Sequence, residues 1–223
     1  MQKNKGWRSI STRNIDQLSV KNNLSDFDPA TDSVPVEQME EIDRFALHTL
    51  QALVQKALKA YETYEFHVIY HRLYNYCTVD LSSFYLDILK DRLYTSPPAS
   101  TARRSAQTVM FAILDAMARI MAPIMPFTAE EIWTHMPAVA GRPESIHLAA
   151  FPEPDDDLKD DALAAKCETL INVRAEVTKP LEQARADKVI GHSLDAAVTI
   201  GVADDLFAVM TGFTITAVIQ SSS

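Results

Sequence analysis

Apolar residues recur every three or four positions along most of this chain, a period that predicts helices rather than strands. The first apolar stripe predicts a helix over residues 35–61. The second keeps its spacing without a slip and predicts one long helix over residues 64–94, bent near Thr78-Val79. Ser96-Pro97-Pro98 should end this helix, because proline has no amide hydrogen to donate.

Two further helices are expected before the pattern changes. A third stripe begins near Ser100 and is stopped by Pro123 and Pro126. Thr128 and Glu131 then have the spacing of a capping box, which predicts a short helix through residue 136. Together these stripes predict a helical bundle over residues 26–136. The polar residues 1–25 have no clear period, and we expect them to be poorly ordered or only partly helical.

The remainder of the chain has a different composition. Residues 137–157 are rich in proline and indicate a linker, with a possible short strand at residues 145–151. A long helix is expected from residue 158 to about 188, with a bend or break just before Pro180. Two β-rich segments, residues 194–200 and 213–219, then bracket a short helix over residues 204–210. This β-α-β pattern predicts a small, truncated α/β subdomain within residues 158–223.

Net charge limits the kinds of partner that this chain can have. The formal charge is −9, and part of the acidic excess lies in residues 153–161. Such a balance disfavours a general polyanion binder, because phosphate contacts need local Lys and Arg, but it leaves room for RNA at one basic face. Cys77 and Cys167 are the only cysteines, and no apolar run is long enough to span a membrane. We therefore expect a cytoplasmic protein in a reducing compartment, with no membrane partner.

Basic residues on both sides of the Pro97-Pro98 turn are the first candidates for RNA binding. The guanidinium fork of arginine suits phosphates and base edges, and an exposed tyrosine can stack on an unpaired base. The candidates are Lys90, Arg92, Tyr94, Arg103 and Arg104. The charge pattern alone favours the simpler interpretation of a solvated helix end whose cations interact with the helix dipole.

A second basic cluster lies along the last long helix and is equally ambiguous. Its members are Arg174, Lys179, Arg185 and Lys188. Both clusters are treated as candidate RNA-binding residues.

One acidic residue in the second stripe requires an explanation. Asp80 lies three residues after Cys77 and four before Phe84, on or beside the apolar face of a regular helix. Because an unpaired buried charge is costly, we expect a buried carboxylate paired with Arg104 or Arg119, or with backbone amides near the bend. Direct recognition of a base amino group is the alternative.

No catalytic or metal site is predicted from the residues. His67 and His71 have the spacing of two metal ligands on one helix, but no third ligand is near them in sequence. We interpret them as surface or half-buried histidines beside Tyr70. The chain also has no glycine-rich phosphate loop.

Residues 69–94 resemble a signature of the isoleucyl-tRNA synthetase family. They read Tyr-Asn-Tyr at 74–76, Val-Asp-Leu-Ser-Ser-Phe-Tyr-Leu-Asp at 79–87, and Lys-Asp-Arg-Leu-Tyr at 90–94. Asp-Phe-Asp-Pro at 26–29 is similar to that family's entry into its anticodon-binding domain. The segments 122–127 and 130–133 resemble a motif shared with the valine, leucine and methionine enzymes. Lys-Val-Ile-Gly-His-Ser-Leu at 188–194 resembles the family's junction after the last long helix. The resemblance as a whole covers about residues 26–200.

The resemblance implies a fold, a function and a set of partners. The implied fold is mainly α: a class I synthetase-type anticodon-binding helical bundle, followed by the small truncated α/β subdomain. The implied function is recognition of the anticodon stem-loop of tRNA(Ile), beside the catalytic domain of the parent enzyme. One alternative is a valine- or methionine-type anticodon domain, which the amino-acid sequence of residues 79–94 disfavours. The other is a helical protein-interaction module.

The same resemblance sets an expectation about chemistry. The family's His-Ile-Gly-His and Lys-Met-Ser-Lys-Ser strings do not occur in this sequence, nor does its zinc-binding cysteine module. The parent isoleucine–tRNA ligase is implied to use ATP, Mg and that zinc module. We therefore expect this chain alone to be inactive as a ligase and to need no cofactor.

Overall fold

The computed structural model describes residues 23–192, 195–201 and 203–211. The chain divides into two compact units, Met1–Asp160 and Asp161–Ser223. Nearly all of the predicted entry segment, residues 1–22, lies outside the described residues, as does the predicted strand at 213–219. Within the described residues, no helix combines the length and the apolarity that a bilayer crossing requires.

The first unit is a helical bundle, as the apolar period predicts. Its α-helices are α1 (Glu41–Glu62), α2 (Phe66–Asn75), α3 (Leu86–Thr95), α4 (Thr101–Met121) and α5 (Pro126–His135). A π-helical segment, Tyr76–Tyr85, joins α2 to α3 without a break. Short 3-10 turns occupy Val36–Gln38, Ile146–Leu148 and Asp156–Leu158.

Helix α4 lies at the centre of this bundle and packs against α1, α3 and α5. Its start is fixed by the Ser100 hydroxyl, which accepts a hydrogen bond from the Arg103 amide at 3.4 Å. Along its buried face, Met110, Ile113 and Met117 are inaccessible to solvent. Their spacing of three and four residues is the reason the helix buries one continuous apolar stripe.

The long helix predicted over residues 64–94 is present as α2, the π segment and α3. Hydroxyl side chains line the π segment: Ser82 donates to the Cys77 carbonyl five residues back, and Ser83 to the Val79 carbonyl, each at 2.7 Å. The Leu86 amide likewise bonds to the carbonyl five residues back. A π-helix is defined by this five-residue spacing. The irregularity predicted near Thr78-Val79 therefore falls inside a change of helix type.

The short strand considered for residues 145–151 is wrong. The segment instead forms a 3-10 turn, in which the Ser145 hydroxyl accepts a bond from the His147 amide at 3.3 Å. The Glu130 carboxylate accepts the Ile146 amide at 3.1 Å, and the Ile146 side chain is buried. A side chain therefore satisfies the backbone group that a strand would have paired with a neighbouring strand.

The second unit contains α6 (Asp161–Ala186) and α7 (Asp204–Thr211). The predicted short helix at 204–210 is confirmed as α7, whereas the strand predicted over 194–200 is wrong across the described residues 195–200. An isolated strand leaves its amides and carbonyls without partners, and its predicted partner lies outside the described residues. The described part of the chain contains no β-strand, so the mainly α prediction is confirmed there.

Pro180 lies inside α6, so the break that was one form of the prediction is wrong, while a bend before the proline stays a prediction. The proline removes one helical hydrogen bond, to the Glu176 carbonyl. Both residues are exposed, so water can hydrate that carbonyl. Two residues before the proline, the Thr178 hydroxyl donates to the Arg174 carbonyl at 2.8 Å.

Candidate nucleic-acid interface

Two members of the first predicted RNA-binding cluster lie open to solvent on α3. The Lys90 side chain is 66% exposed and pairs with Asp87 at 2.8 Å on the same helix. Tyr94 is 71% exposed at the end of that helix. Asp87 is largely buried, but an ion pair three residues apart on a helix is weak and the lysine is exposed, so Lys90 can exchange its partner for a phosphate.

Arg92, the third member, is instead held inside the bundle. Its guanidinium donates two hydrogen bonds to the Asp43 carboxylate on α1, at 2.9 and 2.6 Å. Asp43 is fully buried and also accepts from the hydroxyls of Tyr85 and Ser105. This Asp43 network joins α1, the π segment, α3 and α4 through one charge.

Sequence reasoning missed Asp43, although a signal was present. Asp43 lies four residues after Met39 and three before Ala46, on the apolar face of α1. Burial strongly disfavours ionisation of the Tyr85 hydroxyl beside it and raises its pKa well above 10.0, and the Asp43 charge acts in the same direction. Burial alone would lower the pKa of Arg92, but the hydrogen bonds and charge of Asp43 raise it. The network therefore holds a fixed ion pair and a neutral tyrosine.

Arg103 and Arg104 clamp the Asp26–Pro29 turn onto α4. Arg103 pairs with the Asp26 carboxylate at 3.0 Å, while Arg104 donates to the Asp26 carbonyl at 2.7 Å and pairs with Asp32 at 3.2 Å. Gln107 adds a hydrogen bond to the Asp26 carboxylate at 2.8 Å. Burial would raise the pKa of Asp26, but Gln107 and the two guanidinium groups lower it below 3.8. The predicted RNA contacts of Arg103 and Arg104 stay predictions, and the structure adds a second role for both.

The prediction of Asp80 as a buried, arginine-paired carboxylate is wrong. Its side chain reaches solvent, and the expected partners are bound elsewhere, Arg119 to Asp115 at 3.0 Å and Arg104 to Asp32. The cause is the π segment, whose wider turn moves Asp80 off the face that a regular helix would bury. Surrounding protein atoms still desolvate the carboxyl and raise its pKa to about 6, an effect that Lys56 opposes.

The second predicted cluster lies on the surface of α6. Lys179 pairs with Glu176 at 2.5 Å and Arg185 with Glu182 at 2.8 Å, both three residues apart on the helix. Lys188 follows the helix in a left-handed conformation with φ 58° and is exposed. Arg174 is half-buried. Because pairs of this kind are weak, these cations remain candidates for phosphate contacts.

Trp133, at the end of the segment 130–133, belongs to the fold. Its indole N–H donates to the Pro143 carbonyl at 3.0 Å, and its ring is buried. The Arg142 guanidinium lies 3.7 Å from the ring centroid and donates to the carbonyls of Trp133 and Pro137. These contacts attach the loop over residues 137–143 to the end of α5.

Helix α2 carries an exposed feature that the sequence interpretation did not assign. His67, Tyr70, His71 and Tyr74 are spaced at i, i+3, i+4 and i+7, so they form one stripe, which we call the α2 stripe. The histidines are exposed and the tyrosines half-buried. Across the described part of the chain, no three His, Cys, Asp or Glu side chains form a group that could hold a metal ion. The interpretation of His67 and His71 as surface or half-buried histidines is confirmed, but their spacing with the two tyrosines had not been connected to a function.

Comparison with known proteins matches this chain to a domain family. The family described as the anticodon-binding domain of tRNA ligase matches residues 43–200. The isoleucine–tRNA ligase of Syntrophotalea carbinolica is 53% identical over 178 residues, which are 80% of this chain and 19% of that protein. The isoleucine–tRNA ligase of Symbiobacterium thermophilum is 51% identical over 178 residues, again 80% of this chain and 19% of that protein. That of Geobacter sulfurreducens is 48% identical over 186 residues, 83% and 20% of the two chains. The chain thus spans about a fifth of the length of these curated relatives.

Proposed function

Because this chain belongs to the anticodon-binding domain family of tRNA ligases, we propose that it recognises the anticodon stem-loop of tRNA(Ile) as part of an isoleucine–tRNA ligase. The observation that carries the proposal is the identity of about one half to bacterial isoleucine–tRNA ligases, across four fifths of this chain. Recognition here means binding the RNA and orienting it, while the ligase chemistry belongs to the catalytic domain of the parent enzyme.

The geometry supports RNA recognition because the bundle is fixed internally and its surface carries suitable groups. The ion pair of the Asp43 network ties the helices together. The ion pair between Arg103 and Asp26, which we call the Asp26 clamp, holds the Asp26–Pro29 turn on α4. Exposed aromatic rings and cations, such as Tyr94 and Lys90, remain on the outside. Proteins recognise single-stranded RNA loops by stacking bases on aromatic rings and by contacting the backbone with cations.

The proposal extends to the parent protein and its setting. ATP and Mg would act at the catalytic domain, and the zinc module would be a further part of the parent, so this chain is proposed to hold none of them. A cytoplasmic location fits a protein that handles transfer RNA, and both Cys77 and Cys167 are buried free thiols.

Titration of the full 223-residue chain with tRNA(Ile) and with a non-cognate tRNA, each at two salt concentrations, tests the proposal. We expect dissociation constants of roughly 1–100 μM, a steep salt dependence and tighter binding of tRNA(Ile). Specific recognition is contradicted if the two RNAs bind equally at both salt concentrations. Absence of binding at the lower salt concentration contradicts RNA recognition by this chain altogether.

A further inference from the structure

We propose that the α2 stripe is the surface on which unpaired bases of the bound RNA loop stack. The inference rests on the proposed function, which supplies RNA as the partner. It assigns base stacking to His67, Tyr70, His71 and Tyr74, and not to the residues around the Pro97-Pro98 turn.

The first argument is the geometry of the rings. The buried face of α2 is made by Ile69 and Leu73, which anchor the helix in the bundle. On the stripe, the Tyr70 and Tyr74 rings lie 6.1 Å apart and nearly parallel, with an angle of 28° between their planes. The His71 ring meets Tyr70 edge-on, 5.2 Å away and at 63°. Neighbouring rings held on a packed helix form a preorganised platform, and both tyrosine and histidine stack on bases.

The second argument is electrostatic. Among the α-helices in the described part of the chain, α2 alone contains no Asp or Glu. It carries Arg72, which is exposed and has no ion pair within the described residues. In a chain with a net charge of −9, this helix is a place where an RNA backbone meets little repulsion and one available cation. Glu65 precedes the helix and accepts a hydrogen bond from the Thr63 hydroxyl at 2.7 Å, and Asp80 follows it on the π segment.

Exposed rings on the other helices lack this combination. Phe127 is 90% exposed but lies on α5 with Glu130 and Glu131. Tyr94 lies on α3, which carries Asp87 and Asp91. Stacking on an acidic helix would bring phosphates towards carboxylates, so charge complementarity selects α2 for an RNA loop.

The test uses the full chain and an anticodon stem-loop hairpin of tRNA(Ile) with 2-aminopurine in the loop, whose fluorescence falls on stacking. Replacing the two rings together, Tyr70→Leu with Tyr74→Leu, should weaken binding by roughly 5- to 100-fold and abolish the quenching. The salt slope should not change, because no phosphate contact is removed. The matched control is Phe127→Leu, which removes a more exposed ring elsewhere and should leave affinity and quenching unchanged.

Two further variants separate stacking from folding and from charge. Tyr70→Phe with Tyr74→Phe keeps both rings and should retain binding, with circular dichroism confirming that every variant is folded. Arg72→Gln should weaken binding and reduce the salt slope by about one. The inference is overturned if the parent binds the hairpin and the double leucine variant binds it equally well, in which case the proposed function stands without base stacking on the stripe. A parent chain that binds no RNA overturns both.

Discussion

Arg92 and Asp43 are 49 residues apart in sequence, yet they form a two-bonded ion pair at the centre of the bundle. The carboxylate is fully buried, whereas the guanidinium side chain keeps 18% of its surface exposed. The pair draws α1 and α3 together and, through Tyr85 and Ser105, reaches the π segment and α4. A residue predicted to contact RNA is thus part of the internal framework.

Arg92→Ala is expected to lower the free energy of unfolding by about 3–5 kcal/mol, because it leaves the Asp43 charge buried without its partner. Urea unfolding followed by circular dichroism measures the change. The control is Lys90→Ala on the same helix, which breaks an ion pair between residues three apart whose lysine is exposed, and it should cost about 1 kcal/mol or less. Equal losses for the two variants would contradict the structural role of Arg92.

Tyr85→Phe tests a different bond of the same network. The variant keeps the buried ring and removes only the hydroxyl, which donates to Asp43 at 2.8 Å. A hydrogen bond to a charged group contributes about 1.5–3 kcal/mol. The free energy of unfolding should fall by about this amount, and the urea midpoint should fall with it. Tyr94→Phe removes an exposed hydroxyl and should have no measurable effect. A Tyr85→Phe variant as stable as the parent would show that Asp43 does not depend on this donor.

The Asp80 carboxyl should make stability depend on pH in a direction opposite to most acids. Its pKa is raised to about 6 in the folded chain, above the ordinary 3.8, so the folded state binds more protons between these values. This contribution therefore makes the chain more stable as pH falls from above 6 towards 4. Asp80→Asn should raise the melting temperature at pH 8 and leave it unchanged below pH 4.

Thermal melts of parent and Asp80→Asn at both pH values check this expectation, and a carboxyl titration followed by NMR reports the pKa directly. Because Lys56 lowers the pKa of Asp80, Lys56→Met should raise it further. A pKa near 4 for the Asp80 carboxyl would contradict the desolvation of this site.

Regular helices were predictable from sequence because their apolar period is local information. The helix of α2, the π segment and α3 ends at Thr95, one residue from its predicted end. Asp80 was misplaced because the period itself changes within Tyr76–Tyr85, and a three-residue offset on a π-helix points to a different face. Ser82 signals the change only once its carbonyl partner, five residues back, is known.

The partners of the charged residues were not predictable in the same way. Which acid meets Arg103 or Arg104 depends on how α4 packs against the turn at Asp26, about 80 positions earlier in the chain. Clustered cations in a sequence therefore predict a basic surface only if no acid from another element reaches them. Tertiary packing also prevents a strand at 145–151. Backbone amides of this segment donate to the side chains of Glu130 and Ser145 instead of to a neighbouring strand.

The last prediction separates the two roles of Arg103 and Arg104. If both arginines contact phosphates, Arg103→Ala with Arg104→Ala should weaken binding of tRNA(Ile) and flatten its salt slope by up to about two units. Because both also hold the Asp26 turn, the same variant disrupts the clamp. Asp26→Asn is the matched variant: it removes the shared carboxylate charge but leaves both cations in place. We expect Asp26→Asn to bind RNA at least as tightly as the parent, since one negative charge is lost and Arg103 is released from its ion pair, while Arg104 stays paired with Asp32. If both variants weaken binding alike with an unchanged salt slope, the arginines serve the clamp, and Lys179 and Lys188 on the second unit become the cations to replace next.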